Sequence, residues 1–333
     1  MISNTRGTGY LFWVLCTVGF FAIMSSTMSK NPVLNPFARA LGTPDSLMGF
    51  VAAASTIPGI LVSLPAGSLS DIFGRRRILL LSTAVFASAP FFYLLVGVWW
   101  QLALVRFYHG FATATFVPVA NAFVVELYPH RRAERTSLFS SLTIVGRTMA
   151  PFLGGYILFV TDYGFRELYL AVGLAGSAAL VIATTLLRAP PESRKTPRQG
   201  RSRLLERWAA VAGKPRIIVV GLVEAAQYYA FGATEFFLVG YLSEIARFDS
   251  FSIGLILGSQ LAVIPPLKPL MGKFSDKIGR KIPIVVGSAL SAMALTAVSF
   301  TTQFLWLLPI SVLYGVGFSM VTSSTPALVS ELT

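Results

Sequence analysis

The sequence predicts an all-α membrane protein, and its composition, its hydropathy and the spacing of its apolar residues support this prediction. Of the 333 residues, 54% are hydrophobic and only 12% are charged, and the mean hydropathy is +0.69. A soluble domain needs more polar surface than these values allow. The apolar residues form continuous windows of about 20, which suits membrane-crossing helices and not the alternating strands of a β-barrel.

Ten windows are long and apolar enough to be transmembrane helices, and we number them as spans one to ten in chain order. They cover residues 10–28, 46–66, 78–97, 101–126, 137–160, 168–188, 216–242, 251–271, 283–300 and 303–328. The first window is long enough to cross a bilayer and carries no small-residue cleavage site. We therefore expect it to stay in the mature chain as a helix.

The basic residues, which give a formal net charge of +13, lie mostly in alternate connections. They follow the even-numbered spans, as in Arg75–Arg77 and in the run from 188 to 216. By the positive-inside rule, these connections and the amino terminus are predicted to be cytoplasmic, in a chain that we expect in the plasma membrane. Basic residues at span ends favour contact with anionic membrane lipid and argue against a nucleic-acid surface.

Several chemistries are excluded by what the sequence does not contain. Cys16, inside span one, is the single cysteine, so neither a disulfide framework nor a metal-ligand spacing is present. The sequence also contains no P-loop and no serine-nucleophile motif. We therefore expect no enzyme activity, no cofactor and no metal site.

An internal repeat relates the two halves of the chain. The segment GSLSDIFGRRR begins at residue 67, and the similar segment GKFSDKIGRK begins 205 residues later (272 minus 67). The same offset carries Gly110 onto Gly315 and Glu126 onto Glu331. A register that holds for about sixty residues indicates a duplication. The matched motif residues are Gly67, Asp71, Gly74 and Arg75 in the first copy and Gly272, Asp276, Gly279 and Arg280 in the second.

The repeat predicts a domain organisation. Residues 1–188 form a bundle of six spans, residues 189–215 form a cytoplasmic linker rich in Pro, Arg and Ser, and residues 216–333 form an incomplete bundle of four. The linker fits either a short amphipathic surface helix around Trp208 or a basic tether. A complete second copy would end near 393, so we expect either a truncated sequence that lacks two helices or a protein that works with ten.

The pattern G-x-L-S-D-x-x-G-R-R, found after span two and echoed after span eight, resembles the signature loop of the major facilitator superfamily. This resemblance implies two pseudo-symmetric helical bundles, a solute path between them and a rocking motion. It also implies that Asp71 and Asp276 act as conformational latches, each docking on the amino end of a helix in the opposite half. Asp276 would dock on span five, and Asp71 on an eleventh span that this chain lacks. The alternative is that both loops serve membrane topology alone.

Span four carries an intramembrane cation, Arg106. Followed by Gly110 and Ala114, it is similar to the buried arginine of antiporters and symporters in this superfamily. A guanidinium at membrane depth needs a wet cavity or a partner, which makes Arg106 a candidate for proton coupling or substrate binding. A structural hydrogen bond between helices is the alternative. We expect the nearby His109 to be a packing residue.

Span five resembles the G-x-x-x-G-P-x-x-G-G motif of drug:proton antiporters, with an alanine in place of the glycine before proline. The resemblance implies a moving gate, whereas a purely structural proline kink remains the alternative. The gate residues are Gly146, Pro151, Gly154 and Gly155. Arg147 is a second intramembrane cation that needs a carboxylate, a substrate anion or water.

Span seven supplies the candidate carboxylates. Glu224, Tyr228, Phe231 and Glu235 follow helical spacing, so two acids and two aromatic side chains share one face. A buried carboxylate there can bind a proton, and protonation and substrate can then compete for one site. The aromatic side chains offer stacking surface to an apolar solute, although core packing explains most of them equally well.

Together these features predict a proton-coupled secondary active transporter that works by alternating access. The span-five motif favours export of an apolar or amphipathic organic compound. A proton-linked importer of an organic anion or sugar is the alternative within transport, with the two arginines holding a carboxylate. An inactive remnant that lacks the last two helices is the alternative outside it. The expected partners are a small-molecule solute, protons and membrane lipid.

Overall fold

The computed structural model describes residues 3–188 and 214–332, and in those ranges it consists of thirteen α-helices with no strand. The helices are α1 Ser3–Met28, α2 Leu34–Ala40, α3 Asp45–Ala53, α4 Thr56–Phe73, α5 Arg75–Tyr93, α6 Trp99–Leu127, α7 Arg132–Val160, α8 Phe165–Leu186, α9 Pro215–Glu244, α10 Ser250–Ala262, α11 Ile264–Ile278, α12 Lys281–Val298 and α13 Phe304–Leu332. The prediction of an all-α protein is confirmed.

The helices match the predicted spans, with two differences. In the described ranges, nine segments are long and apolar enough to cross a membrane. Helix α5, which covers predicted span three, is not among these nine segments. The first turn of α5 contains Arg75–Arg77. Spans two and eight are each split into two helices, α3 with α4 and α10 with α11. The sequence analysis treated both spans as continuous, and both breaks are findings of the structure.

Tight reversals join the spans at the two copies of the loop motif. Gly74 separates α4 from α5 with a φ of +89°, and Gly279 precedes α12 with a φ of +88°. L-residues with a side chain rarely adopt this backbone region, whereas glycine does so without steric penalty. The glycines of the repeat therefore set the turn that brings each motif arginine to the start of the next helix.

The chain divides into two compact units. The first contains the described residues up to 188 together with 249–254, and the second contains 214–248 and 255–332. Of the predicted linker, residues 189–213 lie outside the described residues, and Pro215 already begins α9. Its interpretation as surface helix or tether stays a prediction, as do the domain limits drawn from the sequence.

In the first unit, α1 packs against α7 and α8, α5 packs against α6 and α8, and α4 packs against α6. The core contains the fully buried side chains of Phe12, Phe86, Phe116 and Phe123. Close backbone approach adds to this packing, because a Cβ added at Gly176 would overlap the Phe86 carbonyl oxygen. Small residues allow such contacts, on which helix association in lipid depends.

In the second unit, α13 is the central helix and packs against α9, α11 and α12. Its Phe318 stacks on Phe231 of α9 with ring centroids 4.6 Å apart. Gly287 of α12 and Gly317 of α13 allow the two helices to meet closely, since a Cβ at Gly287 would lie 2.8 Å from the Gly317 oxygen. The second unit is thus held by the same kinds of contact as the first.

The two units repeat one glycine contact beside an interrupted helix, although the interruptions themselves do not share the repeat offset. We call the interruption at Ala54–Ser55 the first break and the interruption at Val263 the second break. A Cβ added at Gly110 of α6 would overlap the Ser55 oxygen, and one added at Gly315 of α13 would overlap the Gln260 oxygen. These residue pairs share the offset of 205 (315 minus 110 and 260 minus 55). Each break therefore lies against the glycine of a neighbouring helix.

This contact generates a stability prediction. Replacing Gly110 with Ala should destabilise the protein by about 1–3 kcal/mol, because the helices must separate to admit the new methyl group. Gly59→Ala is the matched control, since a Cβ there meets nothing within 4 Å. Thermal unfolding in detergent micelles should give a lower melting temperature for Gly110→Ala only. Equal melting temperatures in the two variants would contradict the close contact.

Candidate functional site

The first charge triad consists of Asp71, Arg75 and Glu126. Arg75 Nη2 lies 3.1 Å from Asp71 Oδ1, one turn earlier across the Gly74 reversal. Arg75 Nε donates to Glu126 Oε2 at 2.7 Å, which ties the start of α5 to the last turn of α6. The Arg75 and Glu126 side chains are mostly buried, so this pair is less screened by solvent than a surface salt bridge.

The second charge triad consists of Asp276, Arg280 and Glu331, each 205 residues after its counterpart (276 minus 71, 280 minus 75 and 331 minus 126). Arg280 pairs with Asp276 and donates from Nε to Glu331 Oε1 at 2.8 Å. The hydrogen bond to Glu331, joined by Asp276, raises the pKa of Arg280 above its ordinary value. The repeat is therefore a repeat of charge geometry as well as of sequence.

The triads account for Arg75 and Arg280, the first arginine of the motif in each unit. Docking of either aspartate on the opposite half stays a prediction. The surroundings of Gly67 lie outside the described part, and a Cβ at Gly272 would meet no atom of its own unit within 4 Å. The glutamates complete the triads, and the sequence analysis gave them no role. Their shared offset was the signal that could have identified them.

Arg106 of α6 is buried, with 4% of its surface exposed, and it contacts the first break. Its Nε donates to the Val51 oxygen at 3.2 Å, and its Nη2 donates to the Ala52 oxygen at 3.0 Å and to Ser55 Oγ at 2.7 Å. These bonds are of the structural kind that the sequence analysis kept as the alternative for Arg106. The geometry favours that alternative over proton or substrate binding.

Beside Arg106, a buried cluster joins α5, α6 and α8. Tyr93 stacks on Tyr169 with ring centroids 4.5 Å apart, and its hydroxyl lies 3.4 Å from His109 Nδ1. The Tyr169 hydroxyl donates to the Ser29 oxygen at 3.4 Å. His109 Nε2 has no hydrogen-bond partner in the described ranges. The sequence analysis missed this cluster because its members lie on three spans with no common spacing.

Arg147 lies near the middle of α7 and is half-buried. Within residues 3–188 and 214–332, it makes no hydrogen bond and no ion pair. A guanidinium at this depth is costly unless a partner, a solute or water compensates it. Of the two intramembrane arginines, Arg147 therefore keeps the features of a binding residue.

The gate residues on α7 make close backbone contacts inside the first unit. A Cβ added at Gly146 would lie 2.5 Å from the Phe20 oxygen, and one at Gly154 would lie 3.1 Å from the Asn31 oxygen. A Cβ at Gly155 would lie 2.5 Å from the Ser250 oxygen, at the start of α10. Pro151 lies inside the helix. The small residues thus serve close packing, and a gating motion stays a prediction.

On α9 the four residues of the predicted face differ in burial. Glu235, 8% exposed, and Phe231 are buried, Glu224 is half-buried, and Tyr228 is exposed. Phe231 and Tyr228 both contact Phe318 of α13, and Glu235 acts electrostatically on Tyr314 of the same helix. The structure thus brings Glu235 into the second unit and leaves Tyr228 at its surface.

No group of three His, Cys, Asp or Glu residues is placed to hold a metal ion in the described part of the chain. Of the predicted binding residues, Arg147 lies on α7, and Glu224, Tyr228 and Glu235 lie on α9.

The first charge triad gives a second prediction. Arg75→Gln should destabilise the protein by about 1–2 kcal/mol, between the values for exposed and buried ion pairs, because it leaves Glu126 without its partner. Arg77→Gln on the same helix is the control, since Arg77 is exposed. Thermal unfolding measures both, and a double-mutant cycle with Glu126→Gln should give a favourable coupling energy. A coupling energy of zero would contradict the triad.

Two comparisons with known sequences show which proteins this chain is similar to. The sequence profile of the Major Facilitator Superfamily matches residues 15–333. An uncharacterized MFS-type transporter of Methanocaldococcus jannaschii is 23% identical over 325 residues, which cover 95% of this chain and 79% of that protein. The quinolone resistance protein NorA of Staphylococcus aureus is 23% identical over 163 residues, or 49% of this chain and 41% of NorA.

Solved structures agree in fold. A bacterial homolog of the human lysosomal transporter Spinster, in an inward-facing and unoccupied conformation, has a TM-score of 0.78 and 18% identity, covering 98% of this chain and 78% of that one. The nucleoside transporter NupG has a TM-score of 0.81 and 15% identity, covering 97% of this chain and 83% of NupG. The profile match spans nearly the whole chain, which is therefore an integral membrane protein and a transporter of the major facilitator superfamily.

Proposed function

We propose that this chain is a proton-coupled secondary active transporter that works by alternating access and exports an apolar or amphipathic organic compound. Family membership gives transport of a small-molecule solute. Proton coupling, the direction and the solute class go beyond it. The observation that carries the proposal is the burial of Glu235 within the apolar helix α9.

A buried carboxylate offers a simple means of coupling. At membrane depth its charge must be neutralised, either by a bound proton or by a cationic group beside it. If a solute supplies the cationic group, the proton and the solute compete for Glu235. A proton then enters the site as the solute leaves, so that the proton gradient drives export of the solute.

The aromatic side chains of α9 support an apolar or amphipathic solute. Tyr229, 81% exposed, and Tyr228 lie within two turns of Glu235 on the same helix. Aromatic rings bind flat apolar groups by stacking and bind cations through their faces. The similarity to NorA, whose name records quinolone resistance, supports an organic compound as cargo.

We place the chain in the plasma membrane, with the amino terminus and the linker 189–215 in the cytoplasm. The basic residues after even-numbered spans support this orientation. Their charge also supports contact with anionic lipid headgroups. Within this arrangement, we assign Asp71 and Asp276 to the conformational latches and Gly146, Pro151, Gly154 and Gly155 to the gate.

The proposal predicts that Glu235→Gln abolishes coupling. The full chain is reconstituted in vesicles that contain a pH-sensitive dye, and ethidium serves as the amphipathic cation. Ethidium flux should move protons in the opposite direction with the wild type and none with Glu235→Gln, because the amide cannot exchange a proton. Glu224→Gln tests the half-buried acid of the same face.

Glu244→Gln is the matched control, since Glu244 is exposed at the end of the same helix. It should retain coupled flux. Wild-type coupling in Glu235→Gln would remove this residue from the site. Ethidium flux in the same direction as the proton flux would contradict export and would indicate import. A folded protein that moves neither protons nor solute would favour the inactive remnant.

Arg147 favours a second candidate function, proton-linked import of an organic anion. A half-buried guanidinium without a partner in the described part is suited to hold a carboxylate in bidentate geometry. Under this function, Arg147→Gln should raise the KM for an aromatic carboxylate such as benzoate by about tenfold or more. Arg166→Gln, at the exposed start of α8, is the control. Unchanged uptake in Arg147→Gln, or no uptake by the wild type, would exclude it.

A further inference from the structure

Tyr314 of α13 carries a hydroxyl group in the interior of the second unit. The residue is only 2% exposed, and its hydroxyl oxygen has no hydrogen-bond partner in the described ranges. A buried hydroxyl without a partner loses its bonds to water and gains none in return. Such a group in a folded protein calls for a specific explanation.

A stack of aromatic side chains holds the Tyr314 ring against α9. Tyr314 stacks on Phe318, one turn later on α13, with ring centroids 6.5 Å apart. Phe318 in turn stacks on Phe231 of α9, with centroids 4.6 Å apart. All three side chains belong to one buried hydrophobic cluster. The hydroxyl is therefore carried by a ring whose position is fixed by packing.

The contacts between α9 and α13 run in opposite directions along the two helices. Phe231 lies against Phe318, and the turn after Phe231, with Thr234 and Glu235, lies beside Tyr314, one turn before Phe318. Phe231 and Glu235 are four residues apart and share a helix face. Thr234 and Glu235 are both 8% exposed. The Tyr314 hydroxyl and the Glu235 carboxylate thus lie in one buried layer.

The Thr234 hydroxyl is another acceptor beside Tyr314. It donates its own hydrogen to the Ala230 oxygen at 2.7 Å, so towards Tyr314 it can only accept. The two hydroxyls lie close together without forming a hydrogen bond of good geometry. An ionised carboxylate is a stronger acceptor than a neutral hydroxyl. The Tyr314 hydrogen is therefore better matched to Glu235.

The repeat indicates why this hydroxyl lacks a partner on its neighbouring helix. In the first unit, His109 occupies the position of Tyr314 (314 minus 109 is 205), and its Nδ1 lies 3.4 Å from the Tyr93 hydroxyl. The counterpart of Tyr93 is Val298 (298 minus 93 is 205), which has no polar side chain. The second unit thus keeps a polar ring at this position and replaces the polar partner by an apolar one.

We propose that Tyr314 is a positioning residue for proton coupling, whose hydroxyl donates a hydrogen bond to the Glu235 carboxylate when Glu235 is ionised. The proton of the transport cycle moves between Glu235 and the solution, and Tyr314 keeps its own hydrogen throughout. A hydrogen bond to the charged form favours that form, which prepares Glu235 to bind a cationic solute. The inference rests on the proposed function of Glu235, and it does not require Tyr314 to be the only partner of that carboxylate.

Few ionisable groups surround Glu235 within the second unit. Helices α12 and α13 both contact α9. Of their ionisable residues, Tyr314 lies beside Glu235, whereas the others lie at helix ends. Proton binding at Glu235 can therefore be compared with and without the Tyr314 hydroxyl. The other ionisable residues of these helices are Lys281 of α12, Glu331 of α13, and Arg216, Glu224, Tyr228, Tyr229, Tyr241 and Glu244 of α9.

Infrared difference spectroscopy of the full chain in lipid vesicles measures proton binding through the carboxyl band of Glu235, which Glu235→Gln identifies by removing it. Tyr314→Phe keeps the ring and removes the hydroxyl. The midpoint of proton binding should rise by about one pH unit, a tenfold change in proton affinity, because the ionised carboxylate loses a charged hydrogen bond. An unchanged midpoint would overturn the inference.

Tyr241→Phe is the matched control, because it removes another hydroxyl of α9 and α13, one that donates to the Val298 oxygen at 3.3 Å. It should leave the midpoint unchanged. Thr234→Val tests the other acceptor and should also leave the midpoint unchanged. A shift in Thr234→Val as large as that in Tyr314→Phe would show that Tyr314 acts through Thr234, and this result would overturn the direct bond to Glu235.

Proton flux driven by ethidium separates this inference from the proposed function. In Tyr314→Phe, the pH dependence of coupled flux should move to higher pH by the same amount as the carboxyl midpoint. Coupled flux in Glu235→Gln would overturn the proposed function and this inference with it. Loss of coupling in Glu235→Gln, together with an unmoved midpoint in Tyr314→Phe, would overturn the role of Tyr314 alone.

The wild type decides the outcome if Tyr314→Phe does not fold. A hydroxyl that bonds the ionised carboxylate changes its own infrared band when that carboxylate is protonated. A tyrosine band should therefore change at the midpoint of the Glu235 carboxyl band, and this change should be absent from Glu235→Gln. A carboxyl titration with no accompanying change in a tyrosine band would overturn the inference.

Discussion

The structure depends on one constraint, which is that every backbone polar group at membrane depth must find a partner inside the protein. Continuous helices meet this constraint by themselves. Spans two and eight do not, because each is interrupted within an apolar segment. The first break is satisfied by Arg106, which donates to the carbonyls of Val51 and Ala52. The position of Arg106 therefore ties the first broken span to a neighbouring helix.

The repeat keeps its features at the helix ends and changes them in the interior. Both charge triads and both glycine turns are retained, and both broken spans keep a glycine contact. The interior residues at the same offset differ in chemistry. Arg106 corresponds to Ser311 and His109 to Tyr314. The two units thus share the charge triads, the glycine turns and the glycine contacts. The intramembrane ionisable groups belong to one unit or the other.

The sequence was sufficient for the fold because its signals were long. Apolar windows of about 20 residues locate the spans, and the offset of 205 residues locates the second triad. Both breaks had a sequence signal that was missed, because Pro58 follows the first and Pro265 and Pro266 follow the second, and a proline removes a backbone donor from a helix. The contact of the first break with α6 was not predictable. The same limit applied to Arg106. Residue type and depth indicated that it needs a partner, but only tertiary structure shows that the partner is backbone.

The same constraint applies to the ionisable side chains at membrane depth. A charge at membrane depth that its own unit does not satisfy needs another partner or water. Arg106 is satisfied, and so are the arginines of both triads. In the described residues Arg147 and Glu224 make no hydrogen bond or ion pair, and Glu235 is buried in an apolar span. Arg147 is thus an intramembrane arginine that its own unit leaves unpaired, whereas Arg106, the cation with the strongest sequence resemblance, serves the scaffold.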